Sequence, residues 1–291
     1  MQQLIGTGVA MITPFDSQKN IDFDALGRLI DFLIDGGVNY LVTLGTTGET
    51  PVLSTEERYE IVRFTMDHVA GRLPVVVGIG GNDTRHILHE MESFPLDQAA
   101  AILSASPYYN KPSQEGIFQH YQMIAAHAPL PVIVYNVPGR TGKNIEAATT
   151  LRIANEVEGI IGIKEASGNM EQCMRILKDR PSGFMVMSGD DNLALPQMAC
   201  GMDGVISVAA NAFPAEFSQM IDKCIQGKFA EARVVNDRLM EAYDCMFAEN
   251  NPAGIKAFLF ELGLIQNELR LPLVALSTPL MQRVTEYMNK R

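Results

Sequence analysis

Eight short apolar runs rich in β-branched residues divide this chain, and segments of helical periodicity fill the gaps between them. The runs cover 8–12, 40–44, 75–79, 99–104, 132–135, 160–164, 184–187 and 204–208. They recur about every 25 to 30 residues, the spacing of strand–helix units. Within each run the residues are continuously apolar rather than alternating, as expected of parallel strands buried on both faces. The helices between them also read clearly. Leu26, Leu29, Ile30, Leu33 and Ile34 form a stripe at helical spacing that stops at Gly36-Gly37. Ser54-Thr55-Glu56-Glu57 has capping-box spacing for the next helix.

Eight such units are the number that closes a (β/α)8 TIM barrel, an α/β fold that a chain of 291 residues can complete as one domain. A doubly wound open sheet is the alternative, but it would usually bring fewer strands and a glycine-rich nucleotide turn. Gly78-Ile79-Gly80-Gly81 lacks the third glycine at the required spacing and reads as a plain turn. After about residue 225 the strand signal ends. Val235, Leu239, Ala242, Tyr243 and Met246 form a helical stripe, and further helical segments are expected from Gly254 and from Leu273. The expected division is a catalytic barrel over 1–224 and a small C-terminal helical region over 225–291.

Charge and composition narrow the partners. A formal net charge of −11 argues against nucleic acid and against anionic membranes, because binding phosphates needs a basic face. No apolar stretch approaches the length of a membrane helix, and the N-terminus lacks a secretory signal, so the expected location is cytoplasmic. Cys173, Cys200, Cys224 and Cys245 contain no Cys-x-x-Cys pair and read as buried small apolar residues in a reducing compartment.

In a barrel of this kind chemistry sits at the C-terminal ends of the strands. The residues expected there are Thr46 and Thr47 after the second run, Tyr108 and Tyr109 after the fourth, Tyr135 and Arg140 at the fifth, Lys164 at the sixth and Gly189 after the seventh. Lys164 ends the run Ile160-Ile161-Gly162-Ile163 and shares a face with Gly162, which would leave room beside its amine, whereas Glu165 faces the helices. Burial lowers a lysine pKa, and the free amine attacks ketones to form Schiff bases. The bland alternative is a lysine that merely surfaces at a strand end. Tyr135 could shuttle protons or could be a core tyrosine with a satisfied hydroxyl. Gly-Thr-Thr-Gly at 45–48 could bind a small carboxylate or could be an ordinary turn. Arg140 could clamp a carboxylate bidentately or could be an exposed loop arginine. His86 and His89 share a helix face but lack the neighbours of a metal site and read as solvated, and Met185 and Met187 read as core filler.

Three motifs occur in order: Gly-Thr-Thr-Gly-Glu at 45–49, Tyr-Asn-Val-Pro-Gly-Arg-Thr-Gly at 135–142 and Gly-Ile-Lys-Glu-Ala at 162–166. With them the chain resembles, over nearly its whole length, the pyruvate-dependent aldolase superfamily of the dihydrodipicolinate synthases and N-acetylneuraminate lyases. Thr46, where the lyases usually carry serine, and Arg140, which they generally lack, make the synthases the better match. The resemblance implies that Lys164 forms a Schiff base with pyruvate and that Tyr135 relays protons through Thr46 to Tyr109 of a neighbouring subunit. It implies that Thr47 holds the pyruvate carboxylate and Arg140 that of L-aspartate 4-semialdehyde, with Gly189 and Ile206 supplying backbone groups. The implied reaction gives 4-hydroxy-tetrahydrodipicolinate, for lysine and diaminopimelate biosynthesis, with no metal or organic cofactor, in a homotetramer. Alternatives are a sibling aldolase, such as N-acetylneuraminate lyase or a 2-keto-3-deoxy acid aldolase, and a non-catalytic binding barrel. Lysine-inhibited members tend to carry glutamate at the position of His86 and histidine at that of Arg58, so inhibition by lysine is expected to be weak or absent.

Overall fold

A computed structural model describes residues 4–291. Its strands are β1 (Gly6–Ala10), β2 (Tyr40–Thr43), β3 (Val75–Gly78), β4 (Ala101–Ala105), β5 (Val132–Asn136), β6 (Ile160–Glu165), β7 (Met185–Ser188) and β8 (Gly204–Ser207). Each pairs in parallel with the next, and β8 pairs with β1, so the sheet closes into a barrel. The helices in the first half are α1 (Phe23–Asp35), α2 (Thr55–Val69), α3 (Thr84–Ser93) and α4 (Gln114–His127). Next come α5 (Pro138–Thr141), α6 (Ala147–Glu156), α7 (Met170–Asp179) and α8 (Ala194–Ala199). After β8 the chain is helical: α9 (Pro214–Ile225), α10 (Phe229–Ala248), α11 (Ala253–Glu261) and α12 (Thr278–Asn289).

Alternation along the strands explains their apolar composition. One set of side chains fills the barrel interior, among them Ala10, Tyr40, Val42, Val76, Leu103, Ile133, Tyr135, Met185, Met187 and Ile206. The other set, including Val9, Leu41, Val77, Val134, Ile163, Val186 and Val205, packs against the helices. Both faces are therefore dry, and no polar alternation is required. Tyr40 plugs the interior, its hydroxyl 3.5 Å from Met187 Sδ. Gly8 is what admits it, since a Cβ there would come within 2.2 Å of the Tyr40 ring.

All eight strands lie where the apolar runs place them, displaced by one or two residues at their ends. β1, for instance, covers Gly6–Ala10 rather than 8–12, because Gly6 and Thr7 already pair with β8. The α1 stripe buries Leu26, Leu29, Ile30 and Leu33, and the side chain of Asp22 caps the helix by accepting from Ala25 N. The capping box at Ser54 and Glu57 forms with both reciprocal bonds. Two expectations need correction. The last helix begins at Thr278, not Leu273, because Ser277 is its N-cap and Pro279 occupies its first turn. Cys200 is exposed, since it follows α8 where the helix ends in a turn, whereas the other three cysteines are buried.

Candidate active site

Since the strands run parallel in one closed sheet, their C-terminal ends share a rim. Thr46 and Thr47 lie on a single turn of 3₁₀ helix (Thr46–Gly48) just beyond β2, Arg140 lies in α5, and Gly189 directly follows β7. Tyr135 and Lys164 sit near the ends of neighbouring strands with their Cα atoms in register.

Lys164 is only 4% exposed, and its Nζ lies over the Tyr135 ring, 4.3 Å from the centroid. Glu165 points the opposite way into a buried polar cluster. Its carboxylate accepts from Asn136 Nδ2 at 3.2 and 3.0 Å, from Gln172 Nε2 at 3.1 Å and from Ser167 N at 2.8 Å. It is fully engaged there, as the alternation of the strand requires. The space beside the lysine has a different origin from the one the sequence suggests. A Cβ at Gly162 would meet the Met185 carbonyl at 2.6 Å, so this glycine serves the close approach of β7. The glycine that makes room for Lys164 is Gly189, whose Cβ would lie 2.9 Å from Lys164 Cε.

Two carboxyl groups follow Gly189. Asp190 has its pKa pushed up to about 6, chiefly by burial, with the charge of Lys164 pulling the other way. Its Oδ2 is buried without a partner. Asp191 is also pushed up by burial, but it accepts from Ser207 Oγ at 2.6 Å and from the backbone N–H groups of Val208 and Ala209, both at 3.0 Å. Asp191 therefore pins the end of β8, next to the inward-facing Ile206.

The remaining polar groups are held by a segment that sequence reasoning missed. Asn251 Nδ2 donates to Thr47 Oγ1 at 2.9 Å. Arg140 Nη2 donates to Asn250 Oδ1 at 3.0 Å and to the Asn251 carbonyl at 3.2 Å. Asn250-Asn251-Pro252 is legible as a turn from its composition, but nothing local names a partner some two hundred residues away. Tyr109 is 88% exposed at φ 70°, in the left-handed region, so a single chain does not bring it to the buried pair. Thr46 is half-buried, beside the buried Thr47.

The chemistry available is that of an amine sheltered from water, against an aromatic ring and a phenol, with hydroxyls, an arginine and backbone amides on the same rim. Among the described residues, no three His, Cys, Asp or Glu side chains gather to hold a metal ion. His86 and His89 are exposed on α3, His86 within 3.2 Å of Glu90.

Comparison with known proteins gives a consistent result. The model of the dihydrodipicolinate synthetase family matches residues 3–290. The 4-hydroxy-tetrahydrodipicolinate synthase of Parabacteroides distasonis is 47% identical over 287 residues, covering 99% of this chain and 97% of that one. The dihydrodipicolinate synthase of Thermotoga maritima superposes with a TM-score of 0.96 at 37% identity, covering 99% of this chain and 98% of its own. The enzyme from Cyanidioschyzon merolae, solved with lysine bound, superposes with a TM-score of 0.95 at 35% identity, covering 99% and 98%.

Proposed function

This chain belongs to the dihydrodipicolinate synthetase family, and from that premise we propose how its rim residues condense pyruvate with L-aspartate 4-semialdehyde to 4-hydroxy-tetrahydrodipicolinate. The reaction is a carbon–carbon bond formation through a lysine imine and takes no metal or organic cofactor. The observation that carries the assignment of roles is the burial of Lys164 at a strand end with its Nζ over the Tyr135 ring.

In this reading the Lys164 amine adds to C2 of pyruvate, and the carbinolamine loses water to form an iminium. The Tyr135 phenol carries protons to and from the departing oxygen, with Thr46 as the next hydroxyl in the relay. Thr47, oriented by Asn251, takes the pyruvate carboxylate. The iminium acidifies the methyl group by drawing electrons toward nitrogen. Loss of one methyl proton gives an enamine, which attacks the aldehyde carbon of the second substrate. Arg140 holds the carboxylate of that substrate through charge-assisted hydrogen bonds. The amino group of the new chain then attacks the iminium carbon and displaces Lys164, which closes the ring and frees the enzyme. The backbone at Gly189 and Ile206 lines the cavity in which this happens.

Tyr109 enters this scheme from a neighbouring subunit. Its exposure and its left-handed backbone in the single chain are what a residue kept for a partner's site would show. We therefore read the active form as an oligomer, with a homotetramer of paired dimers as the expected assembly. Its compartment we read as the cytoplasm, in keeping with four unpaired thiols.

The direct test is borohydride reduction in the presence of pyruvate, followed by peptide mass mapping. A pyruvate adduct on Lys164 is expected. A folded protein that yields no adduct there would overturn the scheme.

A further inference from the structure

A fully buried charged side chain takes no part in the scheme above. Lys256, in α11, has no exposed surface, and neither does the side chain of its ion-pair partner Glu49. Lys256 Nζ also donates to the Glu268 carbonyl at 2.8 Å and lies 4.2 Å from the centroid of the Phe15 ring. The second oxygen of Glu49 accepts from Arg270 N at 3.1 Å. A charge pair this dry is weak evidence for stability, because well-packed apolar residues often do as well or better. Its position is more informative. Glu49 closes the turn that carries Thr46 and Thr47, and its own backbone is left-handed at φ 55°, as is that of Leu44 at the other end. A turn flanked by two such residues holds its shape only where its surroundings determine it. Lys256 supplies part of that determination from the same segment whose Asn251 touches Thr47. The two ties, Asn251 to Thr47 and Lys256 to Glu49, therefore set the turn at two points against α11 and the residues that lead into it.

We propose that Lys256, through its buried ion pair with Glu49, is a positioning residue for the turn that carries Thr46 and Thr47, and so for the Thr47 hydroxyl that receives the keto-acid carboxylate. This inference deepens the proposed reaction and rests on it. It assigns to the C-terminal helices a share in pyruvate recognition, exerted through Glu49 and the turn it closes.

The test follows the pyruvate concentration needed for half-maximal borohydride trapping on Lys164. Lys256→Met leaves Glu49 buried and unpaired, so Glu49→Gln/Lys256→Met, which removes both charges together, separates stability from positioning. The expected result is a half-saturating pyruvate concentration raised about tenfold or more in both variants, with labelling at saturating pyruvate still complete. It stays raised in the double variant even where thermal stability returns to that of the wild type. In a Thr47→Ala background the effect of the Lys256 change should largely vanish, because the group to be positioned is gone. A folded double variant that saturates at the wild-type pyruvate concentration would overturn the inference, as would effects that simply multiply with Thr47→Ala. Where the double variant does not fold, Glu49→Gln alone is read by the same two criteria. Absence of labelling in the wild type would instead remove the lysine-imine reading itself, so the two failures are distinct.

Discussion

Lys164 Nζ stands over the face of the Tyr135 ring at 4.3 Å, on a neighbouring strand and in register with it. This contact does two things that can be separated. A ring face attracts a cation, so it favours the iminium once that has formed. The hydroxyl at the edge of the ring is the proton carrier of the proposed scheme. Tyr135→Phe keeps the ring and loses the carrier. The expected outcome is a fall of roughly 10²- to 10³-fold in the rate of imine trapping, with little change in the half-saturating pyruvate concentration. Tyr135→Leu should lose more, since both functions go. Rapid-quench borohydride kinetics would measure this, and a Phe variant trapping at the wild-type rate would remove Tyr135 from the relay.

In the proposed scheme Arg140 serves the second half-reaction only. Its guanidinium is oriented by Asn250 and by the Asn251 carbonyl, not by any contact with Lys164. Arg140→Ala should leave pyruvate trapping intact and lower kcat/KM for the aldehyde by about 10²-fold or more, the cost of about 3 kcal/mol for a lost carboxylate clamp. Equal losses in trapping and in condensation would contradict this division.

Gly189 is needed for space. A methyl group there would lie 2.6 Å from Ala166 Cβ and 2.9 Å from Lys164 Cε, closer than real contacts allow. Gly189→Ala should displace the lysine chain and slow imine formation by about tenfold or more, while overpacking costs on the order of 1–3 kcal/mol of stability. Trapping kinetics together with a thermal melt would check both. A variant with wild-type trapping would mean that the lysine has another way to lie.

The barrel was legible because two periodicities, continuous apolar runs and helical stripes, repeat without interruption from Gly8 to Val208. Lys164 and Tyr135 were legible for a related reason, since a polar residue ending an apolar strand has few places to point. What escaped were the groups that hold the rim from a distance. Asn251, Lys256 and Asp191 look like ordinary turn or helix residues in sequence, and their partners are set by closure of the barrel and docking of α11. The role of Gly162 was misread because alternation places it beside the lysine, while its missing side chain actually serves the Met185 carbonyl. Alternation gives the face of a residue but not the distance to the next strand.

Inhibition by lysine should be weak. Arg58 donates to Glu90 Oε1, and His86 Nε2 lies 3.2 Å from the same oxygen, so the carboxylate on this face is already engaged by a guanidinium and an imidazole. A ligand bearing an extra ammonium group gains little from such a site. In a coupled assay the rate should be unchanged at low millimolar lysine, and strong inhibition in that range would refute the expectation.

Asp190 should make stability depend on pH in an unusual direction. Its carboxyl is pushed up to about 6 from an ordinary 3.8, first by burial, with Asp191 and Glu165 adding to the rise and Lys164 opposing it. The folded state therefore holds this proton more tightly than the unfolded chain. Between about pH 4 and pH 6 the native state binds more protons, so the contribution of this group to stability falls as pH rises through that window and stays low above it. Each pKa unit corresponds to about 1.4 kcal/mol, which makes the effect on the order of 3 kcal/mol. Asp190→Asn has no proton to lose and should raise the melting temperature at pH 7.5 while changing it little at pH 4.5. A shift of equal size at both values, or a lowered melting temperature at pH 7.5, would show that the carboxylate is better accommodated beside Lys164 than its unpartnered Oδ2 implies.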